Sequence, residues 1–228
     1  MKKLFLHVYN FLENYIHLKR IRIFLKNNIF LKDPIIFDVG SHRGKISRLL
    51  NSIYKNASIY CFEPNKSFNK DLKRIGKNIR ICNYALGNKA EYKNISQNTI
   101  DLTNSISKIN KSSNYLKIKN LIIKKSKMED KLKKIKVITL QSFCKIKKIK
   151  KIDFLKIDVE GYEYMVLLGA KNVIKNVKFV MIEIQKNDMY DHYSRSKIEN
   201  FLKRNNFKLV KKFNFPFMFF QDCIYKKS

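Results

Sequence analysis

Apolar positions along this chain follow two rhythms. At 35–39, 58–62, 79–84, 153–159 and 177–182 the residues are apolar almost without interruption, the pattern of short strands buried on both faces. Between and after these runs the apolar positions return at helical spacing. This predicts helices over 43–54, from Asn65 or Ser67 to Ile75 with Gly76 as the stop, and over 196–204. Two last strands, 207–213 and 217–225, meet at Pro216. Strands alternating with helices predict an α/β fold, a doubly wound sheet. At the start, Leu4, Val8, Phe11, Leu12, Tyr15 and Ile16 recur at helical spacing over 3–27, with Lys19, Arg20 and Arg22 beyond them. His7, Asn10, Glu13 and Asn14 make this stretch too polar for a membrane span or a signal-peptide core. It reads as an amphipathic helix packed on the domain, with an anchor on anionic lipid as the sharper alternative.

Residues 89–150 are the least regular. Segments 92–95, 120–124 and 136–140 have strand character, and 98–114 is polar and loop-like. An insertion here is a natural lid, and Ser105 lies in it. The organisation expected is therefore a helical extension over 1–30 and one domain over 31–228, long enough to bury a single core.

The chemistry gathers at strand ends. The first run closes as Asp38-Val39-Gly40-Ser41-His42-Arg43-Gly44 and the second as Phe62-Glu63-Pro64. Gly40 and Gly44 permit a tight strand-to-helix turn and close approach of a ligand. A right-handed crossover sets Glu63 beside them, where its carboxylate can accept from both hydroxyls of a ribose. Asp38 is expected to face the same crevice. The run lacks the G-x-G-x-x-G of nicotinamide dehydrogenases, whose middle glycine makes room for a pyrophosphate, so a nucleoside cofactor without one is favoured.

Together with Ala85-Leu86-Gly87-Asn88, Ile138-Thr139-Leu140 and Leu155-Lys156-Ile157-Asp158-Val159-Glu160-Gly161-Tyr162-Glu163, these segments resemble, in their order, the FkbM-type methyltransferases. The likeness spans about 35–185, and Lys-Ile-Asp-Val-Glu-Gly is its most specific block; the family usually has Ala-Asn where this chain has Ser41-His42. The resemblance implies S-adenosylmethionine as cofactor, transfer mostly to oxygen, and a class I methyltransferase sheet, mostly parallel with a reversed last strand. It also implies that the segment after the third strand, near Asn83, lies against the adenine.

Asp158 and Glu160 end the central strand, and share one side if the extended backbone continues that far. A carboxylate there can take the proton of an acceptor hydroxyl, and a pair can also hold a divalent cation, although no metal site is predicted. Glu183 is a companion at the next strand edge, and His42 and His192 are the imidazole candidates for a general base.

The net charge of +31 invites a nucleic-acid partner. Only 8 of the 49 basic residues are arginine, however, and Lys, Ile, Asn and Phe are all abundant, as A/T-rich codons would give. Specific phosphate recognition favours arginine, so the lysine runs read as solvated faces that also attract acidic membranes. Cys61, Cys82, Cys144 and Cys223 form no CxxC pair and read as buried thiols of a reducing, cytoplasmic setting. The function expected is O-methylation of a glycan or other small-molecule hydroxyl. An RNA methyltransferase and a catalytically silent membrane-surface or partner-binding module are the alternatives.

Overall fold

The computed structural model describes residues 11–97, 106–107, 110, 112–113, 131–186, 190–191, 193–215 and 220–228. A π-helical turn, Leu12–His17, runs into α1 (Leu18–Asn28). There follow β1 (Ile35–Val39), α2 (Lys45–Ile53), β2 (Ser58–Phe62), a 3-10 turn (Lys66–Phe68), α3 (Asn69–Lys73) and β3 (Ile79–Cys82). The middle of the chain holds β4 (Ala85–Leu86), β5 (Glu91–Gln97), β6 (Lys131–Ile138), α4 (Leu140–Ile146) and β7 (Ile152–Ile157). The last part holds α5 (Glu163–Ala170), β8 (Val177–Gln185), α6 (Arg195–Arg204), β9 (Phe207–Asn214) and β10 (Phe220–Lys227).

Seven strands form one sheet in the order β3-β2-β1-β7-β8-β10-β9. β1 pairs in parallel with β2 and β7, β2 with β3, and β7 with β8. β10 runs antiparallel to both β8 and β9, so the final strand of the chain is the reversed one, as expected. In the β9–β10 ladder Leu209 faces Tyr225 and Lys211 faces Ile224, leaving Val210 as a bulge.

Strand alternation builds a core on each face of this sheet. Phe37, Val39, Leu155, Ile157, Val180 and Ile182 pack on the side of α4, α5 and α6. Ile36, Phe154, Phe179 and Met181 pack on the other side, with Ile21 and Leu25 of α1 and Leu50 of α2. α1 is thus part of the fold: Ile21 and Leu25 are fully buried, and the Tyr54 hydroxyl donates to the Ile29 carbonyl at 2.9 Å to fix the helix end. All four cysteines are buried free thiols.

A second sheet, β4-β6-β5, comes largely from the irregular middle of the chain. Lys93 Nζ on β5 donates to the Tyr162 hydroxyl at 2.8 Å, tying this sheet to the turn after β7. The 120–124 segment, Ser105, His192, Pro216 and residues 1–10 lie outside the described residues.

Boundaries shift where side chains or φ angles intervene. The helix expected from 43 begins at Lys45, because Gly44 stands at its N-cap with φ 76°. The strand expected to reach 84 ends at Cys82, and Asn83 turns aside to donate to the Glu63 carbonyl at 3.0 Å.

Candidate active site

The carboxyl ends of β1, β2 and β7 meet in one place, where an open α/β sheet offers its crevice. Backbone bonds fasten them beyond the regular ladder. Gly40 and Ser41 N–H donate to the Phe62 carbonyl at 3.0 and 3.2 Å, Glu63 N–H to Cys82 at 3.0 Å, and Asp158 N–H to Val39 at 3.1 Å. Gly40 and Gly44 both have φ 76°. Their need for glycine comes first from the protein itself: a Cβ at Gly40 would lie 1.8 Å from the Asp158 carbonyl oxygen, and one at Gly44 would lie 2.4 Å from Ile75 Cδ1.

Glu63 sits at the end of β2, almost fully buried. Its two oxygens accept from the backbone, His42 N–H on Oε2 at 3.0 Å and Asn65 N–H on Oε1 at 2.8 Å, so one carboxylate shapes both adjoining turns. Burial pushes its pKa up to about 7, against the pull of those two N–H groups and Lys156. The His42 ring packs on Phe68 with centroids 4.2 Å apart, so this residue of the turn is a packing element.

Lys156 stands at the centre of the site, although the sequence motif that contains it pointed to Asp158 and Glu160 instead. Its Nζ lies 3.1 Å from Asp38 Oδ1 and 3.3 Å from Asp158 Oδ2, and donates to the Gly40 carbonyl at 3.0 Å. Burial works against this ammonium, but the Asp158 and Asp38 carboxylates outweigh it and hold the lysine pKa above its ordinary value. Asp38 is fully buried and also accepts from the Ser47 hydroxyl. Its carboxylate thus turns inward rather than onto the crevice, a correction to the sequence expectation. Asp158 keeps 30% of its side chain exposed, and burial raises its pKa despite Lys156.

Glu160 does not share a strand face with Asp158. β7 stops at Ile157, and Glu160 has a positive φ of 54°, which breaks the alternation. Its carboxylate accepts from the Tyr190 hydroxyl, and the Tyr190 ring lies where any side chain at Gly161 would be, 2.5 Å from that Cβ. Glu163, fully buried, accepts from Val159 N–H at 3.0 Å and Gly161 N–H at 3.1 Å; burial lifts its pKa to about 8.

Glu183 on β8 and Asp222 on β10 are opposite each other in the antiparallel ladder, both nearly buried. Burial, joined by Asp158, Glu160 and Asp222, raises the Glu183 pKa well above its usual range. Asp222 Oδ2 pairs with His17 Nε2 at 2.7 Å, so the N-terminal helix reaches the same edge. The structure therefore gathers Asp38, Gly40, Gly44, Glu63 and Asp158 around the β1 end, and sets Glu160 with Glu183 and Tyr190 alongside. Residues with no role assigned from the sequence are Lys156 and Glu163, which lie in the quoted motif, and Tyr190, Asp222 and His17. Lys156 alone left a signal: a lone lysine in a buried strand, two residues before Asp158 and so on its face. Among the described residues no group of three or more His, Cys, Asp or Glu could hold a metal ion.

Residues 38–209 match the methyltransferase FkbM domain. No curated protein matches the sequence. Among solved structures the chain resembles magnesium protoporphyrin IX methyltransferase from Synechocystis PCC 6803, solved with bound S-adenosylmethionine, at TM-score 0.52 and 10% identity over 92% of this chain and 78% of that one. It also resembles a putative rRNA-methylase from Clostridium thermocellum, at TM-score 0.52 and 11% identity over 93% and 96% of the two chains. A chain of the fibrillarin/Nop5p complex superposes at TM-score 0.52 and 14% identity over 94% and 84%. At such identities these likenesses establish the fold, that of class I methyltransferases. The matched span runs from the end of β1 into β9 and takes in both the glycine turn after β1 and the Lys-Ile-Asp-Val-Glu-Gly edge, so this chain belongs to the FkbM family of S-adenosylmethionine-dependent methyltransferases.

Proposed function

We propose that the enzyme methylates a hydroxyl of a glycan or other small molecule, with Gly40, Gly44 and Glu63 around the cofactor and Asp158 and Glu160 at the reacting centre. Asp38 serves the cofactor turn indirectly, through the Lys156 ammonium that also holds the Gly40 carbonyl. The observation that carries this reading is the row of carboxylates, Asp158, Glu160 and Glu183, at the edge where β7 and β8 end. Burial raises the pKa of Asp158, and raises that of Glu183 well above its ordinary value, and a raised pKa makes the ionised carboxylate a stronger base.

The turn fits the cofactor. Ser41 Oγ is buried there without a hydrogen-bond partner among the described residues, and each Glu63 oxygen keeps a lone pair free for a ribose hydroxyl. S-adenosylmethionine, when bound, supplies an electrophilic methyl group. The chain must then align the acceptor oxygen and take its proton as the new C–O bond forms. Asp158, partly open to the crevice, is the residue assigned that proton. Lys156 is held protonated and cannot take it.

The test begins with calorimetric titration of S-adenosylhomocysteine against the whole chain, with NAD as the competing ligand. Micromolar binding that weakens about 10- to 150-fold in Glu63→Gln is expected, the range for losing a charged hydrogen bond. Labelled methyl transfer to glycans and polyols should vanish in Asp158→Asn while S-adenosylhomocysteine still binds. Transfer to RNA in preference to every glycan and polyol would overturn the acceptor class, and absence of S-adenosylhomocysteine binding would overturn the site.

A further inference from the structure

Five of the nine large apolar side chains exposed among the described residues fall within twenty positions: Phe11, Tyr15, Ile16, Ile23 and Phe30. Tyr15 is 67% and Ile23 51% exposed, although the opposite side of the same helix, Ile21 and Leu25, is fully buried. Lys19, Arg20, Arg22, Lys26 and Lys32 are interleaved with them and exposed, and no acidic residue occurs from 14 to 32. Glu13, just before, is already engaged by Lys45 at 2.6 Å. A helix whose inner face is satisfied by the core thus presents a second face that is apolar and cationic at once. Between α1 and α2 this face opens into a groove of about 590 Å³, whose lining includes Leu18, Ile23 and Leu49 together with Lys19, Arg22 and Arg48.

We propose that this face of the N-terminal helix docks the enzyme on an anionic phospholipid surface and brings the mouth of the crevice to it. Apolar side chains entering the acyl boundary beside lysines and arginines at phosphate level are the marks of a helix lying in the interface. Phe11, Tyr15 and Phe30 could stack on a base but Ile16 and Ile23 could not, whereas the acyl boundary accepts all five, which favours lipid over RNA. A second copy of the chain would oppose five cations to five. The contact proposed is a peripheral one; no helix among the described residues is long and apolar enough to cross a membrane. The placement of the helix supplies the link to the crevice. Its leading turn holds Lys45, next to Gly44, and His17 holds Asp222, opposite Glu183. An enzyme seated this way would meet its acceptor at the headgroup layer.

The test uses the full chain and sedimentation with vesicles. Phosphatidylglycerol mixed into phosphatidylcholine should bind the protein and phosphatidylcholine alone should not, with binding weakened by salt. Each basic residue near such a surface is worth about five-fold in affinity, so Lys19→Glu/Arg22→Glu/Lys26→Glu should lose at least about 100-fold. The same charge change on the opposite side of the sheet, Lys145→Glu/Lys147→Glu/Lys150→Glu, should cost only a few-fold. Unchanged S-adenosylhomocysteine affinity in both triples controls for folding. The chain has no tryptophan, so Ile23→Trp is a single reporter. Its emission should shift to the blue on vesicles and be quenched by acyl-brominated lipid, whereas Ile146→Trp, at a site 74% exposed on the far side, should not respond. Absence of vesicle binding, equal losses in the two triples, or an unquenched Trp at 23 would each overturn the proposal. So would polyuridine that displaces the vesicles and depends on the same three residues, an outcome that would give the face to RNA.

Discussion

Replacing Lys156 by methionine would leave two carboxylates facing an apolar thioether where an ammonium stood. The distances are 3.1 Å to Asp38 and 3.3 Å to Asp158, and at an effective dielectric of about 20 each contact is worth roughly 5 kcal/mol of Coulomb attraction. The second is discounted because Asp158 keeps 30% of its side chain exposed, and both are offset by the cost of burying the lysine. Breaking a buried pair by removing one partner costs about 3–5 kcal/mol, and that is the destabilisation expected of Lys156→Met near neutral pH. Urea unfolding of both proteins measures it. The double variant Lys156→Met/Asp38→Asn removes one of the two stranded charges and should recover at least about 1 kcal/mol of the loss. Without the ammonium that pulls against burial, Asp158 binds a proton in the folded state still more tightly than in the unfolded chain. The deficit should therefore be largest at high pH and shrink as pH falls through the raised pKa. A loss below about 1 kcal/mol, or one that is equal at all pH values, would refute the view that Lys156 electrostatically clamps the two strand ends.

Gly40→Ala should cost at least about 3 kcal/mol in the same assay, since the new Cβ meets the Asp158 carbonyl at 1.8 Å and the backbone there has φ 76°. Glu163 has a folded pKa of about 8 against an ordinary 4.5, so the folded protein holds a proton that the unfolded chain releases first, and stability falls as pH rises across that window. Glu163→Gln keeps an acceptor for Val159 and Gly161 N–H, and unfolding midpoints should show the variant gaining on the parent as pH rises from about 5 to about 8, by a few kcal/mol. If Glu63 holds the ribose as proposed, S-adenosylhomocysteine affinity, measured by calorimetry, should rise with pH up to about 7 and then level, because the ionised carboxylate is the better acceptor for the hydroxyls. His17→Ala strips nearly buried Asp222 of its partner at 2.7 Å and should cost about 1–3 kcal/mol by urea unfolding.

Sheet, helices and the glycine turn after β1 were legible because burial on both faces leaves unbroken apolar runs, and because Gly40, Gly44 and Glu63 sit at fixed offsets from them. The partners of those residues were not. Asp38 reads as a crevice acid until its neighbour on the adjacent strand is known: β1 register places it against Lys156, and that pairing is a property of the sheet, not of either segment. Glu160 was misplaced because alternation was carried one turn too far, past Ile157 into a left-handed residue. His17 and Asp222 are separated by 205 positions, and nothing local in either segment announces their contact. The long-range half of the site is invisible to pattern for the same reason throughout: each residue's role is set by a neighbour from another strand or helix.

The bulge at Val210 has a consequence for the outer margin of the sheet. β9 ends the sheet on one side and is solvent-exposed on both faces from Lys208 to Lys212, with Leu209 and Val210 more than 40% exposed. Such a margin is an open template for a strand from another molecule. The extra residue twists the backbone out of register, while Lys208, Lys211 and Lys212 would bring like charge against any matching strand. Part of the chain's great excess of lysine thus guards a margin against unwanted strand addition, independently of any ligand.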